Sequence, residues 1–257
     1  MSSAYYRLIL SESGLLAYYR MSGPVGVAVA YDESPNAYHG RIEGNTPDIS
    51  FLQQGPIIAD PTDFAMKFNG VTPYIALPSG LTTNARAAFS VECWLFLTTN
   101  TYINYQTLVG NDHSNSSHVG FYLDLAPTSD GAAAYFQVGN GSVSNFASVG
   151  GAPFATGGWI YLCGVFNGSS VVLYSISADK GYTQTSNALA GTIGTTAFPI
   201  WIAANPNQAS VLYSNTLDEV ALYSTALTTS QVLNHYQTGI SGRSGVTPFP
   251  SVARRQS

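Results

Sequence analysis

A succession of short apolar runs between turn signals is the feature of this chain that most constrains its fold. Asn167-Gly168 and Asn140-Gly141 each stand between two such runs, and both dipeptides suit the positive φ of a tight hairpin turn. Many short strands with almost no helix favour two sheets packed face to face, as in a sandwich or jelly roll. The clearest predicted strands are Phe89–Leu97, Val119–Leu125, Ala133–Val138, Trp159–Phe166, Val171–Ile176, Pro199–Ala203 and Glu219–Tyr223.

One short helix is predicted near the C-terminal end. Thr228 and Gln231 have the spacing of a capping box, in which each side chain satisfies a backbone donor of the other residue. Val232 and Tyr236 then recur at helical spacing, and Gly239 stands where a helix would end. We therefore predict an all-β protein, a two-sheet antiparallel jelly-roll sandwich with one short C-terminal helix.

The chain is predicted to form one domain, residues 1–239, followed by an extended tail, residues 240–257. Residues 1–88 are less regular than the rest, but they contain the strand-like runs Leu15–Met21 and Ala65–Gly70, and no linker separates them from the later strands. The tail combines Gly and Ser with prolines and arginines, a composition that favours an extended docking arm.

Charged residues are scarce, and this limits the kinds of partner that the protein is expected to bind. They make up 9% of the sequence, with a net charge of −5, against roughly 25% in typical soluble proteins. Weak electrostatic repulsion favours packing against copies or other proteins. The lack of a basic stripe argues against nucleic acid. No apolar run approaches the roughly 18 residues of a membrane span, and the first residues lack the features of a signal peptide.

Two cysteines, Cys93 and Cys163, fall inside predicted strands. Two cysteines in a chain of this length do not make a disulfide framework. Buried free thiols acting as small apolar side chains are the favoured interpretation. A disulfide between Cys93 and Cys163 remains an alternative if the two strands are neighbours.

A series of segments, taken in order, resembles a known family. The C-terminal run Leu217–Tyr223, followed by Ala226-Leu227-Thr228, is similar to the pattern I-D-E-V-A-I-Y-x-x-A-L-T of laminin-G-like, concanavalin A-like jelly-roll domains. The resemblance covers about residues 15–239 and implies the jelly-roll fold; Tyr19 and Pro35 depart from the family's usual tryptophan and glycine. The other segments that carry it are Leu16–Met21, Ala30–Gly40, Phe64–Gly70, Phe89–Trp94 and Trp159–Gly168.

The resemblance also implies a structural calcium site, since many relatives bind calcium between the early Asp/Asn loop and the acidic pair of the late strand. Calcium prefers six to eight oxygen ligands. The corresponding residues are Asp32, Asn36, the Gly40 carbonyl and Asp218. In the alternative interpretation, Asp32 and Asn36 shape a turn through side-chain-to-backbone hydrogen bonds, and Asp218 holds a neighbouring backbone amide.

Catalysis is not expected. Glucanases that share this fold carry Glu-x-Asp-x-x-Glu on one strand, a pattern that this sequence lacks. Asp218 and Glu219 are adjacent, so on a strand they are expected to face opposite sides. No Gly-x-Ser-x-Gly or His-Glu-x-x-His motif is present.

Aromatic side chains are the remaining candidates for ligand binding. Tyr102, Tyr105, Tyr182 and Tyr213 fall near predicted turns, where exposed rings can stack on sugars or anchor a protein partner. The tryptophans lie in strand-like runs and are predicted to be core residues; they are Trp94, Trp159 and Trp201.

A non-catalytic structural or binding module is therefore expected. By elimination and resemblance, the leading hypothesis is a bacteriophage virion surface protein, either head-decorating or tail-associated, assembled in the host cytoplasm. Its expected partners are other virion proteins or copies of itself, and cell-surface glycans. The alternative is a free-standing, calcium-assisted lectin that binds carbohydrate.

Overall fold

The computed structural model describes residues 3–99, 104–112, 118–128, 131–149 and 154–241, and in them it contains eighteen short strands and two α-helices. In chain order the strands are β1 (Leu15–Tyr19), β2 (Val29–Ala30), β3 (Gly40–Glu43), β4 (Ile49–Gln54), β5 (Phe64–Phe68), β6 (Tyr74–Ala76), β7 (Phe89–Phe96), β8 (Gln106–Gly110), β9 (Phe121–Thr128), β10 (Gly131–Gly139), β11 (Ser144–Val149), β12 (Trp159–Phe166), β13 (Ser170–Ser177), β14 (Gly181–Ala188), β15 (Trp201–Ile202), β16 (Ala204–Asn205), β17 (Gln208–Leu212) and β18 (Thr216–Tyr223). The helices are α1 (Ala4–Ser11) and α2 (Thr229–Gly239).

Two eight-stranded sheets pack against each other, and the pairings within them are antiparallel. Sheet A has the order β14-β13-β12-β7-β18-β5-β4, with β1 also paired to β18. Sheet B has the order β11-β10-β9-β8-β15-β6-β3-β2, and β16 and β17 form a separate two-stranded ribbon. This architecture confirms the predicted two-sheet antiparallel jelly-roll sandwich.

The main core lies between the two sheets and follows the alternation of the strands. From β7, Val91, Cys93 and Leu95 point into it, and from β9 Phe121 and Leu123 meet them from the other sheet. Period-2 burial of this kind is what the apolar runs of the sequence predicted. Burying apolar surface at about 25 cal/mol per Å² is the main force that holds the two sheets together.

Both helices cover the face of sheet A that points away from sheet B. Trp94 is fully buried there: its Nε1–H donates to the Tyr5 hydroxyl of α1 at 3.0 Å, and its ring stacks on Tyr236 of α2 with centroids 5.4 Å apart. Gly239 permits this packing, since a Cβ there would lie 2.7 Å from the Trp94 ring. Within the described residues, neither helix is long and apolar enough to span a membrane.

The C-terminal helix forms as the sequence predicted, whereas the N-terminal helix was not predicted. Thr228 and Gln231 complete a capping box at the start of α2. Helix α1 begins after Ser3, whose side chain accepts a hydrogen bond from the Tyr6 N–H at 3.1 Å. The apolar run of α1 is short. Tyr5 and Ile9 have helical spacing, but a helix of this length is stable only when a surface buries both residues.

Local turn predictions are confirmed where the structure tests them. Asn167-Gly168 joins β12 to β13, and Asn140-Gly141 joins β10 to β11, with φ of 84° at Gly168 and 89° at Gly141. Positive φ is the reason for a glycine at each of these turns. Helix α2 ends at Gly239; the domain boundary at residue 239 stays a prediction, and residues 242–257 of the predicted tail lie outside the described residues.

The two cysteines are buried free thiols, as predicted. They lie on neighbouring strands, where Cys93 is paired with Leu162 and Cys163 with Glu92. Cys93 points into the core between the sheets, but Cys163 points toward the helices. Because the sheet separates the two side chains, adjacency of the strands does not bring the sulfur atoms together.

Candidate functional sites

A β-bulge in β18 places the acidic pair of the late strand on one face of sheet A. The register between β18 and β7 shifts between Asp218 and Ala221, and Glu219 has a φ of 51°. Leu217 and Val220 both face the core between the sheets, so Asp218 and Glu219 both project from the helix-covered face. The expectation that these two carboxylates face opposite sides was wrong, because the bulge interrupts the alternation of the strand.

The bulge brings the two carboxylates into an ionic cluster around an arginine that directly follows β1. The Arg20 guanidinium forms ion pairs of 3.0 Å with Asp60, 3.1 Å with Asp63 and 3.2 Å with Glu219. One carboxylate oxygen from each of Asp63, Asp218 and Glu219 lies within 4.8 Å of the others. We call these five residues the Arg20 cluster: Arg20, Asp60, Asp63, Asp218 and Glu219.

Most oxygens of the Arg20 cluster already accept a hydrogen bond. The Tyr18 hydroxyl donates to Glu219, and the Ile57 N–H donates to Asp63 Oδ2 at 2.7 Å. The Glu219 N–H donates to Asp218 Oδ1 at 2.8 Å. Asp218 Oδ2 is buried with no hydrogen-bond partner among the described residues.

Burial raises the pKa of three of the four carboxyl groups in the Arg20 cluster, whereas at Asp60 hydrogen bonds from Thr62 and the charge of Arg20 outweigh burial and lower the pKa. Burial raises the pKa of Asp218 and of Glu219 well above their ordinary values, and the charge of Asp63 raises both further. Burial also raises the pKa of Asp63, although hydrogen bonds and Arg20 oppose the shift. Gly55 is what allows this crowding, because a Cβ there would lie 2.1 Å from Asp63 Oδ2 and 2.8 Å from Asp218 Oδ2.

The early loop residues predicted as calcium ligands form a turn of their own. Asp32 Oδ1 accepts hydrogen bonds from the N–H groups of Tyr18 and Ser34, both at 2.8 Å. Its Oδ2 accepts from the Ser34 hydroxyl at 2.8 Å. The Asn36 side-chain amide donates to the Leu16 carbonyl at 2.9 Å. These are the turn-shaping hydrogen bonds of the alternative interpretation.

The predicted calcium ligands are thus divided between two places. Gly40 lies in β3, where a Cβ would be 2.6 Å from Ile75. Among the described residues, the one group of three acidic, histidine or cysteine side chains with close ligand atoms consists of Asp63, Asp218 and Glu219.

That trio does not fit calcium in the arrangement described. Its carboxylate oxygens, apart from Asp218 Oδ2, are used by Arg20, Tyr18 or backbone donors, whereas calcium requires six to eight oxygens. A calcium site formed by Asp32, Asn36, Gly40 and Asp218 stays a prediction.

A second ionic cluster lies under α2. His235 Nδ1 is 2.9 Å from Glu92 Oε2 of β7, and its Nε2 is 3.0 Å from Glu12 Oε1, just after α1. The hydroxyls of Tyr161 and Tyr223 also donate to Glu92. Burial alone would lower the pKa of His235, but the charges and hydrogen bonds of Glu92 and Glu12 outweigh it and raise the pKa to about 9. We call these five residues the His235 cluster.

A groove with a cavity volume of about 240 Å³ crosses the helix-side face of sheet A. Four of its residues lie side by side on adjacent strands: Trp159 pairs with Phe96, Phe96 with Thr216, and Thr216 with Lys67. With neighbouring strands about 4.8 Å apart, the backbones of Trp159 and Lys67 are separated by about 14 Å. We call this the Trp159 groove; it is lined by Gln53, Gln54, Lys67, Phe96, Thr98, Trp159 and Thr216.

The tryptophans divide between core and surface. Trp94 is a core residue, as predicted. Trp159 and Trp201 are half-buried rather than core, so that part of the prediction was wrong. Trp159 packs edge-on against Phe96 with ring centroids 5.6 Å apart, and Trp201 stacks on Tyr74 with centroids 4.1 Å apart. Each of the two is the first residue of its strand, a position at the rim of the sandwich that the local sequence does not reveal.

Sheet B carries a second aromatic and polar surface. Tyr105 and Phe146 are each 42% exposed. On the strands between them, the Tyr122 hydroxyl donates to Gln137 at 2.6 Å, and burial followed by the charge of Asp124 raises the pKa of Tyr122. This surface holds aromatic rings next to hydrogen-bonding groups, as the Trp159 groove does.

The predicted turn tyrosines have mixed outcomes. Tyr105 is exposed, as expected, and Tyr182 is half-buried. Tyr213 is fully buried, and its hydroxyl donates to the Thr216 carbonyl at 2.9 Å, so its predicted exposure was wrong. Tyr102 lies outside the described residues.

With the sandwich and its surfaces defined, comparison with known proteins identifies the family. A model of the concanavalin A-like lectin/glucanases superfamily matches residues 69–233, more than half of the chain. The chain belongs to the concanavalin A-like lectin/glucanases superfamily. The matched region contains β7, β12 and β18 of sheet A, which carry Trp94, Trp159 and the β-bulge. The predicted family resemblance is confirmed.

Solved structures similar to this superfamily member come from several kinds of protein. Domain 4 of AbnA, a GH43 extracellular arabinanase from Geobacillus stearothermophilus in complex with arabinotriose, aligns with a TM-score of 0.61 and 19% identity over 88% of this chain and 99% of that chain. The enzymatically active domain of tailspike protein 2 from bacteriophage CBA120 has a TM-score of 0.57 and 10% identity over 77% of this chain and 30% of that chain.

A toxin domain gives a third similar structure. The botulinum neurotoxin serotype D/C VPI 5993 binding domain aligns with a TM-score of 0.57 and 13% identity over 88% of this chain and 52% of that chain. The present superfamily member therefore spans about half of the toxin domain and less than a third of the tailspike domain. At these identities the likeness shows a shared fold. A comparison with curated protein sequences gave no significant match.

Proposed function

We propose that this chain is a non-catalytic glycan-binding module carried on a bacteriophage virion surface. The observation that carries the glycan-binding part is the Trp159 groove, in which an aromatic side chain and neutral hydrogen-bonding groups line one cavity. Sugars present apolar C–H faces and a rim of hydroxyls, so an aromatic platform beside amides and hydroxyls is complementary to both.

The size of the groove supports a short saccharide. Its volume of about 240 Å³ lies below the roughly 300–1,000 Å³ of pockets for drug-sized ligands. Gln53 and Gln54 offer amide donors and acceptors, and Thr98 offers a hydroxyl. Two or three of these groups suffice to fix a sugar ring placed on Trp159.

Similar structures support the same proposal. The arabinanase domain was solved with arabinotriose, the tailspike belongs to a bacteriophage, and the toxin domain is a binding domain. A fold can host unrelated functions, so these neighbours raise the expectation of glycan binding, and the groove of this chain supplies the site.

Burial of the acidic groups supports the absence of catalysis. Glycoside hydrolysis requires two carboxyl groups that flank the scissile bond. Asp218, Glu219 and Glu92 are fully buried under the helices or their loops, where a sugar does not reach them. We expect no release of reducing ends when the protein is incubated with a glycan that it binds.

The experiment for glycan binding uses the two half-buried tryptophans as a matched pair. Trp159→Ala removes the aromatic wall of the groove, and Trp201→Ala removes a comparable ring from sheet B. We expect Trp159→Ala to weaken binding on a glycan array and in calorimetry about two- to tenfold, because ring stacking contributes about 0.5–1.5 kcal/mol. Trp201→Ala should bind like the wild type. Equal binding by Trp159→Ala, with melting temperatures matched, would place the glycan elsewhere.

The virion part of the proposal has a direct test. Mass spectrometry of purified particles from a host culture that expresses this chain should detect it in stoichiometric amounts. Deletion of residues 240–257 should then remove it from particles if the tail is the docking arm. Particles that lack the full-length chain would instead favour the alternative, a free-standing lectin.

Calcium distinguishes that alternative further. A calcium-assisted lectin would melt several degrees higher in 1 mM CaCl₂ than in EGTA and would lose glycan binding in EGTA, because a bound ion stabilises only the folded state. Since the oxygens of the acidic trio, apart from Asp218 Oδ2, already accept hydrogen bonds, the virion module should show the same melting temperature in both buffers.

A further inference from the structure

The Trp159 groove contains one charged side chain, and its surroundings are unusual. Lys67 lies on β5 and is half-buried. Among the described residues it has no carboxylate within ion-pair distance. The chain has 14 acidic residues and a net charge of −5, yet none of the acidic residues lines the groove.

The Lys67 ammonium has no counter-charge among the described residues. A lysine can bury its aliphatic stem and keep its charged group accessible, so the ammonium is available to a ligand in the groove. The remaining lining groups near Lys67 are Gln53, Gln54 and Thr216, all neutral. The groove therefore has a positive local potential in an otherwise acidic protein, and an anionic group of a ligand would supply the missing counter-charge.

The register of sheet A sets the length of that ligand. Trp159 and Lys67 stand at opposite ends of a row that crosses adjacent strands through Phe96 and Thr216. Side chains at paired positions point to the same face of a sheet. The row spans about 14 Å between backbones, so a ligand that contacts both ends must extend along the row. A second sugar ring provides that extension.

We infer that the Trp159 groove selects carboxylated oligosaccharides of two or more residues, with one ring on Trp159 and the carboxylate of another ring on Lys67. This inference rests on the proposed glycan-binding function and specifies its ligand class. The carboxylate forms a charge-assisted contact with the ammonium, and the two glutamine amides orient the intervening hydroxyls. Uronic and sialic acids share this chemistry.

The test compares matched acidic and neutral saccharides on the purified full-length chain. The probes are trigalacturonic acid against galactotriose, and 3′-sialyllactose against lactose, measured by calorimetry at low salt. We expect the wild type to bind the acidic member of at least one pair about two- to fivefold more tightly, as a partly exposed ion pair provides. Raising the salt concentration should reduce this preference.

The second lysine of the chain provides a matched control. Lys67→Gln removes the charge from the groove, and Lys180→Gln removes it from the turn before β14. We expect Lys67→Gln to lose affinity for the acidic member of a pair and much less affinity for the neutral member, so that the acidic preference disappears. Lys180→Gln should behave like the wild type, and Lys67→Arg should keep the preference. Galacturonic acid monomer should bind at least tenfold more weakly than the trimer.

Outcomes separate this inference from the proposed function. Equal affinity for acidic and neutral saccharides, or equal losses for both with Lys67→Gln, would overturn the role of Lys67 while Trp159→Ala still weakens binding. If the galacturonic acid monomer binds as tightly as trigalacturonic acid, the inference that one ligand contacts both Trp159 and Lys67 is overturned. If no saccharide of any charge depends on Trp159, the proposed function itself fails.

Discussion

The two buried ionic clusters on the helix side of sheet A both place carboxylates away from water, but they compensate the buried charge in different ways. In the Arg20 cluster, one arginine faces the carboxylates of Asp60, Asp63 and Glu219, with Asp218 alongside. In the His235 cluster, one histidine lies between Glu92 and Glu12. Arginine stays charged at any physiological pH, whereas His235 titrates. The comparison shows that one permanent cation can hold several carboxylates, although burial still raises the pKa of Asp63, Asp218 and Glu219 against the effect of Arg20.

The clusters also differ in what they connect. The Arg20 cluster joins the loop before β5 to the end of β1 and the bulge of β18. The His235 cluster joins α2 to β7 and to the end of α1. Loss of the first should therefore loosen one edge of the sandwich, and loss of the second should loosen the helical cover.

The largest effect is expected from Arg20→Met, which leaves several buried carboxylates without a cation. Removing one partner of a buried ion pair costs about 3–5 kcal/mol, so the free energy of unfolding at pH 7, measured by urea denaturation, should fall by that amount. The loss should shrink toward pH 5, because the freed carboxyls take up protons. Arg20→Lys, which keeps the charge but not the planar fork, should lose less.

A smaller and pH-dependent effect is expected from His235→Gln. The folded-state pKa of about 9 exceeds the unfolded value near 6.5. The stabilisation by protonated His235 is therefore complete below pH 6.5 and is lost as the pH rises through 9. Its upper limit is on the order of 3 kcal/mol, from 1.36 kcal/mol per pKa unit.

The pH profile of unfolding separates the two clusters. The wild type should lose stability between pH 6.5 and 9, and His235→Gln should show a shallower loss in that window. Any remaining slope is expected from the raised pKa values of Asp218 and Glu219. Tyr161 and Tyr223 do not titrate there, since burial raises the pKa of both. An unchanged slope in His235→Gln would assign the pH dependence to other groups.

The smallest effect is expected from Asp218→Asn. The side-chain oxygen of the new asparagine can still accept from the Glu219 N–H, and Asp218 Oδ2 has no hydrogen-bond partner to lose among the described residues. Removing a buried like charge beside Asp63 relieves repulsion. The free energy of unfolding should therefore rise, or stay within about 1 kcal/mol of the wild type. A loss as large as that of Arg20→Met would show that Asp218 is a structural ligand, as in the calcium prediction.

The sequence predicted those parts of the site that depend on near neighbours. The pattern around Leu217–Tyr223 correctly located β18. The turn that Asp32 and Asn36 form was the alternative to their predicted role as calcium ligands. The sequence did not predict that Asp63 or Arg20 would join Asp218. Nor did it predict Lys67 and Gln53 as groove residues, because neither belongs to a motif and each acquires its neighbours only through strand pairing.

The strands, the Asn-Gly hairpins and the capped helix α2 are encoded locally, since each depends on contacts among residues a few positions apart. Features that depend on strand register are determined only when the sheets assemble. The bulge at Glu219 turned two adjacent carboxylates to one face, and pairing of β12, β7, β18 and β5 placed Trp159 in line with Lys67. A shift of one residue in any of these pairings would move the side chains to the opposite face, so neither the ionic clusters nor the groove exists before the sheet is assembled.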